Sequence, residues 1–190
     1  ENFINISMVE YSESYSSSKL IGSAPGYVGY DHSGQLTEAV RQKPYSVVLF
    51  DEVEKAHASI TQLLLQILDE GVITDNMGRK ISFKNCIVIL TGNIGSQFTK
   101  GKTSVGFMGA SGSQNRDSIR EKVMGAVKSH LSLEFINRLD ETVIFNNFCP
   151  EDFDKIIDLN LEGLRQKLKE KKIGLSIYKA SKSILREQAL

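Results

Sequence analysis

In the run Val47-Val48-Leu49-Phe50-Asp51-Glu52, four apolar residues lead into two adjacent carboxylates. A buried strand that ends this way delivers both acids to the carboxyl edge of a sheet, where open α/β folds bind ligands. There Asp51 suits the Mg²⁺ of a nucleotide, held through water, and Glu52 suits the orientation and deprotonation of an attacking water. This is the pattern of a Walker B element. The alternative is a strand end followed by an acidic helix start. The run Leu90-Thr91-Gly92-Asn93 sets an amide at the end of a second apolar run. Asn93 could position water against a γ-phosphate, the sensor-1 role, or simply cap the next helix. In Glu134-Phe135-Ile136-Asn137-Arg138-Leu139-Asp140, Arg138 could pair with a carboxylate of its own fold. It could equally act as an arginine finger on a nucleotide held by a neighbouring subunit, an effect of about 10³–10⁵ in rate. In Gly26-Tyr27-Val28-Gly29-Tyr30, glycines bracket an aromatic and a β-branched residue. Either Tyr27 is buried under a turn, or the flexible backbone presents it to grip a polypeptide.

Alternating strand-like and helix-like segments must position these residues. Residues 3–8 read as a short strand, 34–43 as a short helix closed by Pro44, and 46–50 as a strand buried on both faces. Residues 60–68 carry apolar side chains at 60, 63, 64, 67 and 68, a helical stripe, and 86–91 repeat the buried-strand pattern. Strand, helix, strand in this order predicts an α/β fold with a parallel sheet and crossover helices. Residues 95–115 are rich in Gly and Ser and read as one long loop. Ile119, Val123, Ala126 and Val127 mark a helix, and 142–145 read as a further strand. From Pro150 a long helix follows, with Phe153, Ile157, Leu161, Leu164 and Leu168 on one stripe. Lys167, Lys169, Lys171 and Lys172 crowd its end, where the helix dipole favours cations. Residues 174–178 read as a strand and 179–190 as a helix. The predicted boundary separates 1–149, an α/β body, from 150–190, a smaller helical unit.

Composition narrows the partners. Lys plus Arg is 23 and Asp plus Glu is 23, so the chain lacks the basic excess of a general nucleic-acid or membrane-surface binder. No apolar run approaches the roughly 18 residues of a membrane span. The start, Glu1 to Asn5, has neither a basic region nor a long apolar stretch, so no signal or transit peptide is expected there. Cys86 and Cys149 make no disulfide framework, which favours a reducing compartment. His32, His57 and His130 have no Cys or His partner at metal spacing.

The run from Lys19 to Tyr30, then Gly34-Gln35-Leu36-Thr37-Glu38-Ala39-Val40-Arg41, resembles the second ATPase module of the Clp/heat-shock-hundred unfoldases. Pro44-Tyr45 through Asp51-Glu52-Val53-Glu54-Lys55-Ala56-His57, Leu64-Leu65-Gln66-Ile67-Leu68-Asp69, and 134–141 match in the same order. The resemblance spans essentially the whole chain. It implies an AAA+ P-loop-type three-layer αβα fold with a parallel sheet, incomplete here, followed by a small, mainly helical lid subdomain. It implies ATP and Mg²⁺ as cofactors and a homo-hexameric ring that threads unfolded or tagged proteins through its pore. In this family the position of Tyr27 is the pore-loop aromatic, flanked by Gly26, Val28 and Gly29. Asp51 and Glu52 match the Walker B pair, Asn93 sensor 1 and Arg138 the arginine finger, while 76–79 resemble a second pore loop. Thr-Gly-Asn stands where Thr-Ser-Asn is usual, and His-Ala-Ser where His-Pro-Asp is usual. On the Gly-rich loop, Val105-Gly106-Phe107 is similar to the tripeptide by which family members dock on the Clp peptidase ring. The ClpB disaggregase branch lacks it, so the chain looks most like the ClpC branch; the alternative is that Val105 and Phe107 fold back on the body.

A nucleotide site also takes a phosphate cradle, G-x-x-x-x-G-K-[ST]. The nearest run, Gly101-Lys102-Thr103, is out of step, because Ser96 stands where the first Gly is required. The resemblance places the true cradle upstream of Glu1 and the Gly-Ala-Arg-Pro signature of sensor 2 beyond Leu190. The 190 residues alone are then expected not to hydrolyse ATP, and to expose apolar surface beside the missing strand and helix. A binding or assembly role without ATPase activity is the other reading. The family occurs in bacterial cytosol and in organelles such as the plastid stroma.

Overall fold

The computed structural model describes residues 2–23, 26, 33–99, 112–145, 148 and 150–189. Its strands are β1 (Phe3–Ser7), β2 (Val47–Asp51), β3 (Val72–Thr74), β4 (Lys80–Ser82) and β5 (Ile87–Leu90). The α-helices are α1 (Ser17–Ile21), α2 (Gln35–Gln42), α3 (Ala58–Glu70), α4 (Ser96–Thr99), α5 (Gly112–His130), α6 (Leu133–Asn137), α7 (Pro150–Glu170) and α8 (Lys179–Ala189). Internal contacts divide the chain into two compact units, Glu1–Thr142 and Val143–Leu190.

The first unit is built on a parallel sheet of order β1-β2-β5. The apolar run of β2 takes the central place that an unbroken apolar strand requires. In register, Ile4, Val48 and Val88 form one row, and Ile6, Phe50 and Leu90 the next. Ile6, Val48 and Phe50 are buried, and the core they share includes Leu36 and Val40 of α2 and Ile60, Leu64 and Ile67 of α3. The α3 stripe predicted from apolar spacing therefore faces the core. On the opposite face the row Phe3, Val47, Ile87 leaves its two outer members exposed. Strand β5 was expected to be buried on both faces. It is an edge strand among the described residues, with Ile87 and Ile89 exposed, because no described element covers that face.

Other differences have equally local causes. Residues 72–82 form an antiparallel hairpin that apolar patterning did not reveal; its strands have three residues each, too few to display a period. Ile73 and Ile81 face each other across it and are both buried. The loop predicted over 95–115 is interrupted by α4 and by the start of α5 at Gly112, a polar helical stretch without an apolar stripe to announce it. Residues 142–145 are not a strand. Val143 and Phe145 are exposed, and a strand forms only beside a hydrogen-bonding neighbour, which the described residues do not offer there. Residues 174–178 are likewise irregular.

The second unit consists mainly of α7 and α8. They are linked by ion pairs from Lys182 to Asp158 and from Arg186 to Asp154, the latter at 3.3 Å. Phe148 packs edge-on against Phe153, with ring centroids 5.9 Å apart. No helix among the described residues is long and apolar enough to cross a membrane.

Candidate active site

Beyond the last paired residues of β2 and β5, the chain continues as a knot of hydrogen bonds. The Thr91 N–H donates to the Phe50 carbonyl at 3.0 Å, and the Val53 N–H donates to the Thr91 carbonyl at 2.9 Å. Between them the Thr91 hydroxyl faces both acids. It donates to Oδ1 of Asp51 and accepts from the Glu52 N–H at 3.2 Å. Glu52 needs that support, because its backbone is left-handed, with φ 58° and ψ 53°, a region costly for a residue with a Cβ. The left-handed residue turns the chain sharply out of the sheet. Asp51 and Glu52 are half-buried at the edge, and the turn Val53–Lys55 is pinned by the buried Val53 side chain.

The turn carries a third acid. Oε1 of Glu54 accepts from the Asn93 N–H at 3.1 Å. Asn93 itself is exposed beyond the end of β5. The structure thus gathers Asp51, Glu52 and Asn93 at one sheet edge, and adds Thr91 and Glu54, which sequence reasoning left without roles. Each acts on a backbone donor, the Glu52 N–H and the Asn93 N–H, which residue spacing does not display. Asp51 and Glu52 bring two carboxylates to this edge, while among the described residues no group of three metal-ligating side chains comes together.

Arg138 is not part of this group. It ends α6, whose first turn is capped by the Ser132 hydroxyl accepting from the Phe135 N–H at 3.2 Å and anchored by the buried Phe135 ring. Its guanidinium lies 2.9 Å from Oδ1 of Asp69 near the end of α3, and both side chains are 46% exposed.

Gly26 is exposed in a turn at φ 89°, a value that favours glycine. Tyr27, Val28 and Gly29 lie outside the described residues, as do Gly101-Lys102-Thr103 and Val105, Gly106 and Phe107. The described stem of the first of these segments is closed by a bridge between Gly22 and Ser33. Residues 76–79 form the tight turn between β3 and β4. Asp75, buried at its start, accepts from the N–H groups of Met77 and Arg79 at 2.9 and 2.8 Å and from Nε of Arg79 at 2.6 Å. Burial pushes the Asp75 carboxyl up, but the hydrogen bonds from Arg79 and Met77 outweigh it and hold the group below its ordinary value. Arg79 also lies 4.0 Å from Glu38 on α2. Hydrogen bonds from Arg41, then Gln42, lower Glu38 to about 2. The Asn76 N–H donates to the Ile21 carbonyl at 3.0 Å, so this turn is tied to the end of α1.

A sequence profile of the AAA domain (Cdc48 subfamily) matches residues 1–142. The chain belongs to this AAA family. The AAA domain is 47% identical over 182 residues to the chaperone protein ClpB of Propionibacterium freudenreichii subsp. shermanii, covering 96% of this chain and 20% of that protein. It is 44% identical over 190 residues to the negative regulator of genetic competence ClpC/MecB of Bacillus subtilis, covering 100% of this chain and 24% of that protein. The chain therefore spans about a fifth to a quarter of the length of these relatives. A solved S. cerevisiae Hsp104:casein complex in its extended conformation superposes with a TM-score of 0.82 at 38% identity, covering 98% of this chain and 31% of that one. The sheet and helices described above are thus those of an AAA+ α/β fold.

Proposed function

We propose that this AAA domain is part of an ATP-dependent protein unfoldase, and that Asp51, Glu52 and Asn93 form its hydrolytic edge. The observation that supports the reading is the Thr91-centred knot, which ties Asp51 and the Glu52 backbone together at the carboxyl end of a parallel sheet. The half-buried Asp51 carboxylate is a hard oxygen donor at this edge and fits a Mg²⁺ brought by a nucleotide. Bound Mg-ATP would supply the phosphoryl group and neutralise charge on it. Asp51 would hold the metal through water, Glu52 would take the proton of the attacking water, and Asn93 would orient that water. Arg138, on a different element, is read as a finger serving the nucleotide of a neighbouring subunit in a homo-hexamer. Units 1–149 and 150–190 are read as the large α/β subdomain and part of a helical lid.

In the full-length protein, Tyr27 with Gly26, Val28 and Gly29 is read as the substrate-gripping pore loop. Substrates would be unfolded or tagged polypeptides. The Hsp104 structure described above contains casein, which supports a polypeptide substrate. The compartment is read as bacterial cytoplasm or an organelle interior. Tyr27→Ala is expected to leave ATP turnover intact and abolish unfolding of a fluorescent substrate; unchanged unfolding would refute the pore role.

Val105, Gly106 and Phe107 support docking on the Clp peptidase, the ClpC-like reading. A ClpB-like disaggregase is the second reading, favoured by ClpB relatives at 44–47% identity beside ClpC relatives at 40–44%. Deleting residues 105–107 decides between them. Peptidase-coupled degradation lost with ATPase retained supports docking, and degradation unaffected by the deletion refutes it.

A further inference from the structure

Asn93 lies beyond the last ladder pair of β5, so its N–H has no strand partner to satisfy it. Glu54 provides one at 3.1 Å, and a carboxylate acceptor makes this a charge-assisted bond. The bond closes a small ring. From the Val53 N–H the ring crosses to the Thr91 carbonyl, follows Gly92 to the Asn93 N–H, crosses back to Glu54 and returns to Val53. Val53 is buried and anchors the ring to the core.

Gly92 sits inside this ring. A Cβ at Gly92 would stand 3.0 Å from Oε2 of Glu54 and 3.8 Å from Cγ1 of Val53. A side chain at 92 would crowd the carboxylate, which would have to give by a few tenths of an ångström. Oε2 is buried with no hydrogen-bond partner among the described residues. An unsatisfied buried acceptor costs about 1–3 kcal/mol, so stability alone is a poor reason for an acid here. A fixed Asn93 is a better one.

We propose that Glu54 is a positioning residue for the hydrolytic edge, holding Asn93 where its amide orients the attacking water. The proposal rests on the ATPase reading above. It assigns the third acid of the 51–54 run to geometry rather than to metal or proton transfer.

The test uses the full-length protein with two readouts, hydrogen exchange of the amides at 92–95 and steady-state ATP turnover above the Glu52→Gln background. Glu54→Ala is expected to speed exchange at Asn93 and to lower kcat about 10²-fold, the scale of a misplacement near 1 Å. KM for ATP should stay within about twofold, because ground-state binding does not use Asn93 on this account. Glu54→Gln keeps a carbonyl acceptor and should recover the protection and most of the rate. Gly92→Ala leaves Glu54 in place but crowds Oε2, and should reproduce the Glu54→Ala signature in weaker form; it decides the matter if Glu54→Ala does not fold. Faster exchange with unchanged kcat would reduce Glu54 to a structural role and overturn the proposal. Unchanged exchange at Asn93 would overturn it too. Turnover by Glu52→Gln equal to that of the wild type would instead defeat the ATPase reading, leaving the exchange result to judge the ring by itself.

Discussion

Thr91→Val removes one oxygen and almost nothing else. Valine matches threonine in shape and β-branching, so the packing and strand preference of the position are preserved. The lost hydroxyl made two bonds, one accepted from the Glu52 N–H at 3.2 Å and one donated to Asp51. A neutral bond is worth about 1 kcal/mol and one to a charged group about 1.5–3 kcal/mol. Both share one atom at a half-buried edge, so their sum is discounted to about 2 kcal/mol, or roughly 30-fold in an opening equilibrium. The loss also falls on the left-handed Glu52, whose N–H is left without its partner. Native-state hydrogen exchange on the full-length protein reads this locally. Protection of the Glu52 and Val53 amides should drop by about 30-fold, while amides in the middle of α3 stay unchanged. Thr91→Ser keeps the oxygen and should stay near the wild type. A Thr91→Val protein whose Glu52 and Val53 amides exchange within about twofold of wild type would refute the account of the knot.

Further predictions concern groups away from that hydroxyl. Asp75 and Glu38 both have folded values below their unfolded ones, so the stability they contribute is present above the unfolded value and is lost as pH falls through the folded one. The turn between β3 and β4 should therefore hold at neutral pH and loosen as acid protonates Asp75, while protonation of Glu38 towards about 2 releases chiefly Arg41 and Gln42 within α2. Carboxyl NMR titration with exchange of the 75–79 amides checks this; loosening above pH 5 would contradict it. Arg138→Ala breaks a pair whose partners are both 46% exposed, so thermal stability should fall by less than about 1 kcal/mol. In the assembled protein the same change should cut turnover about 10³-fold, whereas Asp69→Asn should spare it. Equal turnover losses in the two variants would make Arg138 a structural residue.

What the residues revealed in advance follows from what spacing encodes. The apolar run of β2 fixed its central place, and the stripe at 60, 64 and 67 fixed the buried face of α3, because both are periodic facts of one segment. Residues 142–145 misled for the complementary reason. Thr-Val-Ile-Phe has strand composition, but a strand is a property of a pair, and no described neighbour pairs with it. The exposed outer row of β5 reflects the same dependence on neighbours. At the site, Asp51, Glu52 and Asn93 stand out in the sequence because acids and an amide at strand ends suit nucleotide chemistry, and the fold sets them at one sheet edge. Thr91 and Glu54 were not, because they act on backbone N–H groups brought together across about forty residues of sequence. The turn at 76–79 was not read from the residues, and its buried Asp75 anchor emerges only from the fold.

On the proposed reading, Glu52 is the base of an ATP-hydrolysing edge. Its most direct test is single-turnover hydrolysis by the full-length Glu52→Gln protein, measured at this module beside its affinity for ATP. The account predicts that ATP still binds with near wild-type affinity, that hydrolysis is lost, and that the ring is trapped in its ATP-bound state. Wild-type hydrolysis in the Glu52→Gln protein would contradict it.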